Sequence, residues 1–145
     1  MLLLPLGIAA QDSTCTYDRC ALRLHYTSSG PRLVQGQSAV SIARIGLYPP
    51  RIDLFAAAND STRSHYEAFR QHHSRAATFG IVSLATLLGS VILHYSSDED
   101  VAQGAAIGLV VTSFGFSLAA GSNRRRAGNE LSQAIWFFNR ELTHP

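Results

Sequence analysis

The sequence predicts a membrane α+β fold: a transmembrane helical hairpin, with a small N-terminal β meander before it and a C-terminal amphipathic helix after it. Three observations predict it. Ala76–Tyr95 and Val101–Gly121 are stretches of 20 and 21 residues without a charged side chain, separated by Ser96–Asp100. Each spans about 30 Å as a helix, the thickness of a bilayer core. A connector that short makes them antiparallel neighbours. Ahead of them, apolar and polar residues alternate between clusters of turn formers. Behind them, apolar residues recur every three or four positions. A buried hairpin inside a soluble core is the competing reading, but the 145-residue chain has too little other material to wrap two such helices. The expected divisions are 1–10, 11–54, 55–75, 76–121 and 122–145.

Met1–Ala10 (MLLLPLGIAA) reads as the end of a secretory signal cleaved before Gln11, or as an uncleaved interfacial anchor; it lacks a basic n-region. Cys15 and Cys20 enclose Thr-Tyr-Asp-Arg, which can turn, so they form a disulfide if that end is exported and two core thiols if not. Residues 11–54 are β-rich. Leu22, Leu24 and Tyr26 alternate with Arg23 and His25, and Ser28-Ser29-Gly30-Pro31 and Gln35-Gly36-Gln37-Ser38 mark turns. Val40, Ile42 and Ile45 point inward, and Pro49-Pro50 ends the last strand because proline cannot donate to a ladder. Three such strands cannot stand alone and must rest on the membrane, the helices or a partner.

Residues 55–75 form a juxtamembrane helix. Asn59, Asp60 and Ser61 offer capping oxygens, and Ser64 with Glu67 fits a capping box. No Pro or Gly intervenes before Arg75, so this helix runs on into the first arm. Tyr66, Phe69 and His73 share a face. In the hairpin, Gly80 and Ser83 on the first arm and Gly104, Gly108, Thr112 and Gly115 on the second are the expected helix-packing residues, because small side chains let helices approach closely in lipid. Ile81, Leu84, Leu88, Val91, Ile107, Val110, Phe114 and Leu118 form the opposite faces. After the second arm, Asn123-Arg-Arg-Arg126 is a basic stop and Ala127-Gly128-Asn129 is expected to break the helix. A short amphipathic helix follows, with Leu131, Ile135, Phe138 and Leu142 on one face, lying in the membrane interface or on the β segment. Arg75, Tyr95, Arg124, Arg125, Arg126, Trp136 and Phe137 are the expected membrane-interface residues.

The composition narrows the function. The chain has 12 Arg and no Lys, a bias that fits a GC-rich bacterial genome. A net charge of +2, with the Arg residues scattered or juxtamembrane, does not make a nucleic-acid surface. No Asp, Glu, Lys or Arg lies inside either arm, which argues against a transporter working alone. His65 and His72 are seven apart, without the spacing of a helical metal pair; His94 with Asp98 and Asp100 could take a cation, though solvated surface residues are the simpler reading. There is no G-x-S-x-G, P-loop or H-E-x-x-H. No catalytic, cofactor-binding or metal residue is therefore assigned, and no cofactor is expected.

QDSTCTYDRCALRL near the start and LSQAIWFFNREL near the end resemble uncharacterised two-helix envelope proteins of GC-rich bacteria. The resemblance implies an order of parts: a signal-like leader, a Cys-bearing β segment, the hairpin and an aromatic helix. It implies no activity.

The expectation is a non-catalytic accessory subunit that packs on and stabilises a larger membrane complex, such as a respiratory or photosynthetic reaction-centre–antenna assembly. The alternative is a freestanding envelope-stress or membrane-remodelling protein, a homo-oligomer built through its glycines. The lipid bilayer is the first partner in either case. The bacterial inner membrane is the expected location. Two rules conflict on orientation. The positive-inside rule places both ends in the cytoplasm, whereas the leader and the cysteine pair place the N-terminal segment in the periplasm, which is the reading preferred here.

Overall fold

Strands change direction where the turn formers lie. In a computed structural model, which describes residues 16–96 and 100–143, β1 (Leu22–Thr27), β2 (Gly30–Gln35) and β3 (Val40–Arg44) form an antiparallel sheet in the order β1-β2-β3. Ser28-Ser29 closes the first hairpin between the paired Thr27 and Gly30. A bulge between Leu33 and Val34 shifts the register of β2 on β3. A four-residue helix, α1 (Tyr17–Cys20), covers the second turn: Gly36 N–H donates to Ala21 O at 2.9 Å and Gln37 N–H to Asp18 O at 3.0 Å. Gly36 has φ +68°, and a Cβ there would lie 2.6 Å from Arg19 O, so only glycine fits beneath α1. Cys20 is buried; Cys15, its expected partner, and the leader lie outside the described residues.

A second short helix, α2 (Asp53–Ala56), inserts Phe55 into the core. It is followed by α3 (Asp60–Ser96). Asn59 caps this helix, its Oδ1 accepting from Thr62 N–H at 2.7 Å. The box expected at Ser64 and Glu67 does not form, because the helix has already begun: Ser64 Oγ donates back to Ser61 O. As expected, α3 is one helix from the juxtamembrane segment into the first arm.

The second long helix, α4, runs unbroken from Asp100 to Thr143. This corrects the break expected at Ala127-Gly128-Asn129 and the separate C-terminal helix. Gly128 is exposed with open space around it, so it costs the helix only its propensity, about 1 kcal/mol against Ala. Ala127 and Leu131 on either side are buried in the core, and that packing outweighs the penalty. The amphipathic C-terminal segment is therefore the last turns of α4, and it packs on the β segment.

The two long helices lie side by side along their length. At one end they build a head. There Leu22 and Leu33 from the sheet, Phe55 from α2, Tyr66 and Phe69 from α3, and Leu131 and Phe138 from α4 share one apolar core. Asn139 fixes the sheet to α4: its Oδ1 accepts from Leu22 N–H at 2.7 Å, and its Nδ2 donates to Leu22 O at 2.9 Å. The small meander thus rests on the helices. Beyond Ala76 and Ala77 on α3 and before Ala120 on α4, the helices continue alone as an apolar hairpin. Both are long and apolar enough to cross a membrane.

Candidate functional site

The site-bearing parts are the face between α3 and α4, the outward faces of the hairpin, and the junction where the hairpin joins the head. A single seam runs through the first. Its buried and half-buried positions on α3 include 62, 66, 69, 73, 76, 79, 83, 86, 90 and 93; on α4 they include 106, 109, 113, 116, 120, 123, 127, 131, 134 and 138. Steps of three and four are the spacing of coiled-coil-like packing. In the head the seam is large and aromatic. In the hairpin its fully buried positions are small and mostly hydroxylic, namely Ser83, Ser90, Ala106 and Ser113, with Phe79, Leu93, Leu109 and Phe116 half-buried between them. Ser83 Oγ donates to Ser113 O at 2.8 Å and lies 2.7 Å from Ser117 Oγ, which ties the helices together by hydrogen bonds. Phe79 stacks on Phe116, with ring centroids 6.1 Å apart.

The glycine stripe lies elsewhere. Gly80, Gly104, Gly108 and Gly115 are exposed, and a Cβ at any of them would meet nothing within 4 Å. Thr112 is exposed as well, its Oγ1 donating back to Gly108 O. Of the six expected packing residues, only Ser83 lies on the α3–α4 contact. A four-residue spacing states that side chains share a face, not which face meets the neighbour, and here the serine-alanine seam takes that place. The heptad run 106, 109, 113, 116, 120, 123 was the available sequence signal. The large residues Ile81, Leu84, Leu88, Val91, Ile107, Val110, Phe114 and Leu118 are exposed, as the sequence predicts.

At the junction, three histidines of α3 each donate a hydrogen bond. His65 Nδ1–H reaches Glu130 Oε2 at 2.7 Å, and the ring stacks on Phe137 at 5.2 Å. His72 Nδ1–H donates to Asn123 Oδ1 at 3.2 Å, and Asn123 in turn donates to Ala119 O. His73 Nε2–H donates to Gly46 O at 2.9 Å, linking α3 to the loop after β3. These bonds orient the head on the helices. They do not assemble a ligand set: among the described residues no three His, Cys, Asp or Glu gather as a metal site. The expected cation position at His94, Asp98 and Asp100 falls partly outside the described residues; His94 itself packs edge-on to Tyr95.

Arg70, Arg75, Arg124, Arg125 and Arg126 ring the junction, all exposed. Tyr95 is exposed at the opposite end of the first arm. Trp136 and Phe137 stand about 15 Å further along α4 than Arg126, at roughly 1.5 Å per residue, because the helix does not break. Arg140 lies over both rings, at 4.9 and 5.1 Å. Within the ring of arginines is a cavity of about 360 Å³ between the sheet and both helices. Leu24, Ile45, Phe69 and Leu131 supply its apolar wall, and His73 and Arg124 its polar groups.

A perturbed acid lies deeper in the head. Burial pushes the Tyr66 phenol above its usual pKa, and Asp53 adds to this; the Ile52 N–H and the Arg70 charge pull the other way. The hydroxyl donates to Pro50 O at 2.5 Å and accepts from Ile52 N–H at 2.8 Å, so it stitches the proline segment to α3. Its role is structural. No protein-family model, curated protein or solved structure matches the chain.

Proposed function

We propose that the hairpin spans the bacterial inner membrane and that the protein is a non-catalytic accessory subunit, packing its hairpin on a larger membrane complex and displaying its head at the surface. One observation supports this above the others. Within the apolar windows of the two helices only 22% and 11% of residues are buried, and the outward faces carry Leu88, Ile107, Val111 and Phe114 in the open. Apolar surface on that scale needs lipid or protein against it. No Asp, Glu, Lys or Arg lies in residues 76–95 or 101–121, so the two arms offer packing and not transport chemistry. The head is placed on the periplasmic side, following the leader and the cysteine pair.

Purification from the native membrane in mild detergent tests the proposal. Co-migration with one large complex is the expected result. A small self-associated species would support the second reading, a freestanding homo-oligomer, which the outward-facing Gly104, Gly108 and Gly115 favour because they leave room for a second helix. Orientation is tested with Ser38→Cys, on the exposed β2–β3 turn. A membrane-impermeant maleimide should label it in intact cells; labelling only after lysis places the head in the cytoplasm.

A further inference from the structure

We infer that the cavity at the base of the hairpin binds the headgroup end of an anionic phospholipid, with Arg124 on the phosphate and the apolar wall against the glycerol and first methylenes. The inference rests on the bilayer-spanning reading of the hairpin and adds a ligand to it.

Position comes first. His73 precedes the buried Ala76 and Ala77 by about one turn, and Arg124 follows Ala120 by about one turn. The cavity therefore opens where the helices leave the head and the uncharged spans begin. On a hairpin that crosses a bilayer, this is headgroup depth. The lining matches that depth. A volume of about 360 Å³ is within the range of small-ligand sites. Its wall is drawn from the sheet and both long helices, with Leu24 from β1, Phe69 from α3 and Leu131 from α4. A chain of methylenes suits that wall. A free inorganic phosphate would gain nothing from it.

Charge selects the headgroup. Arg124 makes no ion pair among the described residues. No Asp or Glu occurs from residue 68 to 97 or from 101 to 129, and Glu130, the next carboxylate along α4, is held by His65. His73 does not compete for the phosphate with its Nε2–H, which is held by Gly46 O. The neighbouring Arg70, Arg75, Arg125 and Arg126 raise the local positive potential and draw anionic lipid to the junction. A zwitterionic headgroup brings its own cation into this field and is disfavoured.

The test uses the full chain in nanodiscs of phosphatidylcholine containing a minority of phosphatidylglycerol. Native mass spectrometry reads the lipids that stay bound. Wild type should retain phosphatidylglycerol above its share of the disc. Arg124→Gln should reduce that enrichment about fivefold, the effect of one lost basic contact near a headgroup. Arg124→Lys should keep most of it, and Arg125→Gln, outside the cavity lining, should change it less. Circular dichroism checks that each variant is folded. Equal enrichment in wild type and Arg124→Gln overturns the inference, as does an equal fall in Arg124→Gln and Arg125→Gln, which would describe a diffuse basic belt. Displacement of the lipid by inorganic phosphate, but not by chloride at equal ionic strength, would identify a phosphate site instead and also overturn it. A chain that fails to enter the discs removes the bilayer-spanning reading itself; one that enters without selecting phosphatidylglycerol removes only the site.

Discussion

The head and the hairpin are made by the same two helices along the same seam, yet they are packed in opposite senses. In the head, the seam holds Tyr66, Phe69, Leu131 and Phe138, and the outward positions of the two helices include Arg63, Glu67, Gln71 and Gln133. In the hairpin, the fully buried seam positions are Ser83, Ser90, Ala106 and Ser113, and Leu88, Ile107, Phe114 and Leu118 face outward. Water drives large apolar side chains inward. In lipid that drive is missing, and helices associate through close approach and hydrogen bonds. The change occurs on both helices at one level, near Ala76 and Ala120. Helical geometry is continuous there, so the difference teaches that the expected solvent, and not the backbone, sets which side chains fill the contact.

The largest test of that contrast pairs one substitution from each region. Phe55 is fully buried and packs on the rings of Tyr66 and Phe138, so Phe55→Ala should destabilise the head by about 3–5 kcal/mol in a denaturant titration in detergent. Leu88→Ala, on the outward face of the hairpin, should change the same titration by no more than roughly 0.5 kcal/mol. Equal losses would break the comparison. Asn139→Leu comes next. It removes both bonds to Leu22 and leaves a part-buried N–H and C=O without partners, a cost of about 2–3 kcal/mol. Loss of β signal before helix signal in thermal melts would confirm that Asn139 holds the sheet to α4.

Tyr66→Phe should cost about 1–2 kcal/mol, since Pro50 O and Ile52 N–H lose their partner. It also carries a pH signature. The folded-state pKa of Tyr66 is raised, so the folded form holds its proton more tightly than the unfolded form. That contribution is fully present below the unfolded value, near 10, and is lost as pH rises through the folded value. Wild type should therefore lose stability above about pH 10 more steeply than Tyr66→Phe; parallel curves would remove the phenol from the account. The smallest effects belong to the hairpin. Ser83→Ala should cost about 0.6 kcal/mol, the usual worth of a hydrogen bond between membrane helices. Gly108→Leu should leave the isolated chain unchanged, because its side chain enters open space. A drop in stability that grows with protein concentration would show a second copy seated there.

Much of this fold was legible in the sequence. The meander could be read because each reversal carries its own chemistry: the Ser28-Ser29 corner, the glycine at 36 and the paired prolines that close the sheet. The continuity of α3 could be read from the absence of Gly and Pro before the first arm. The continuity of α4 could not, because Gly128 weakens a helix locally while Ala127, Leu131 and Ala134 hold it through contacts with residues far away in the chain. The glycine stripe was visible as a pattern, but its direction depended on a partner helix whose own seam had to be known first. The cavity at the junction was illegible for a related reason. Leu24, Phe69, Arg124 and Leu131 come from three elements, and no spacing in one segment marks them as neighbours.

The bond between Leu22 and Asn139 joins residues 117 apart in sequence, and that separation orders events during synthesis. The sheet leaves the ribosome first, but the helical turns that cover its apolar face are made last. For most of translation the meander is therefore an unfinished surface with Leu22 and Leu33 uncovered. Both arms must be made before the chain returns to close the head. On the proposed bilayer-spanning reading, two crossings bring the C-terminal turns back to the side where the sheet waits. A chain that crosses once leaves them on the far side, and its sheet stays uncovered. On that reading, completion of the head doubles as a check on insertion: only a correctly threaded molecule hides its apolar sheet from the proteases and chaperones that survey nascent chains.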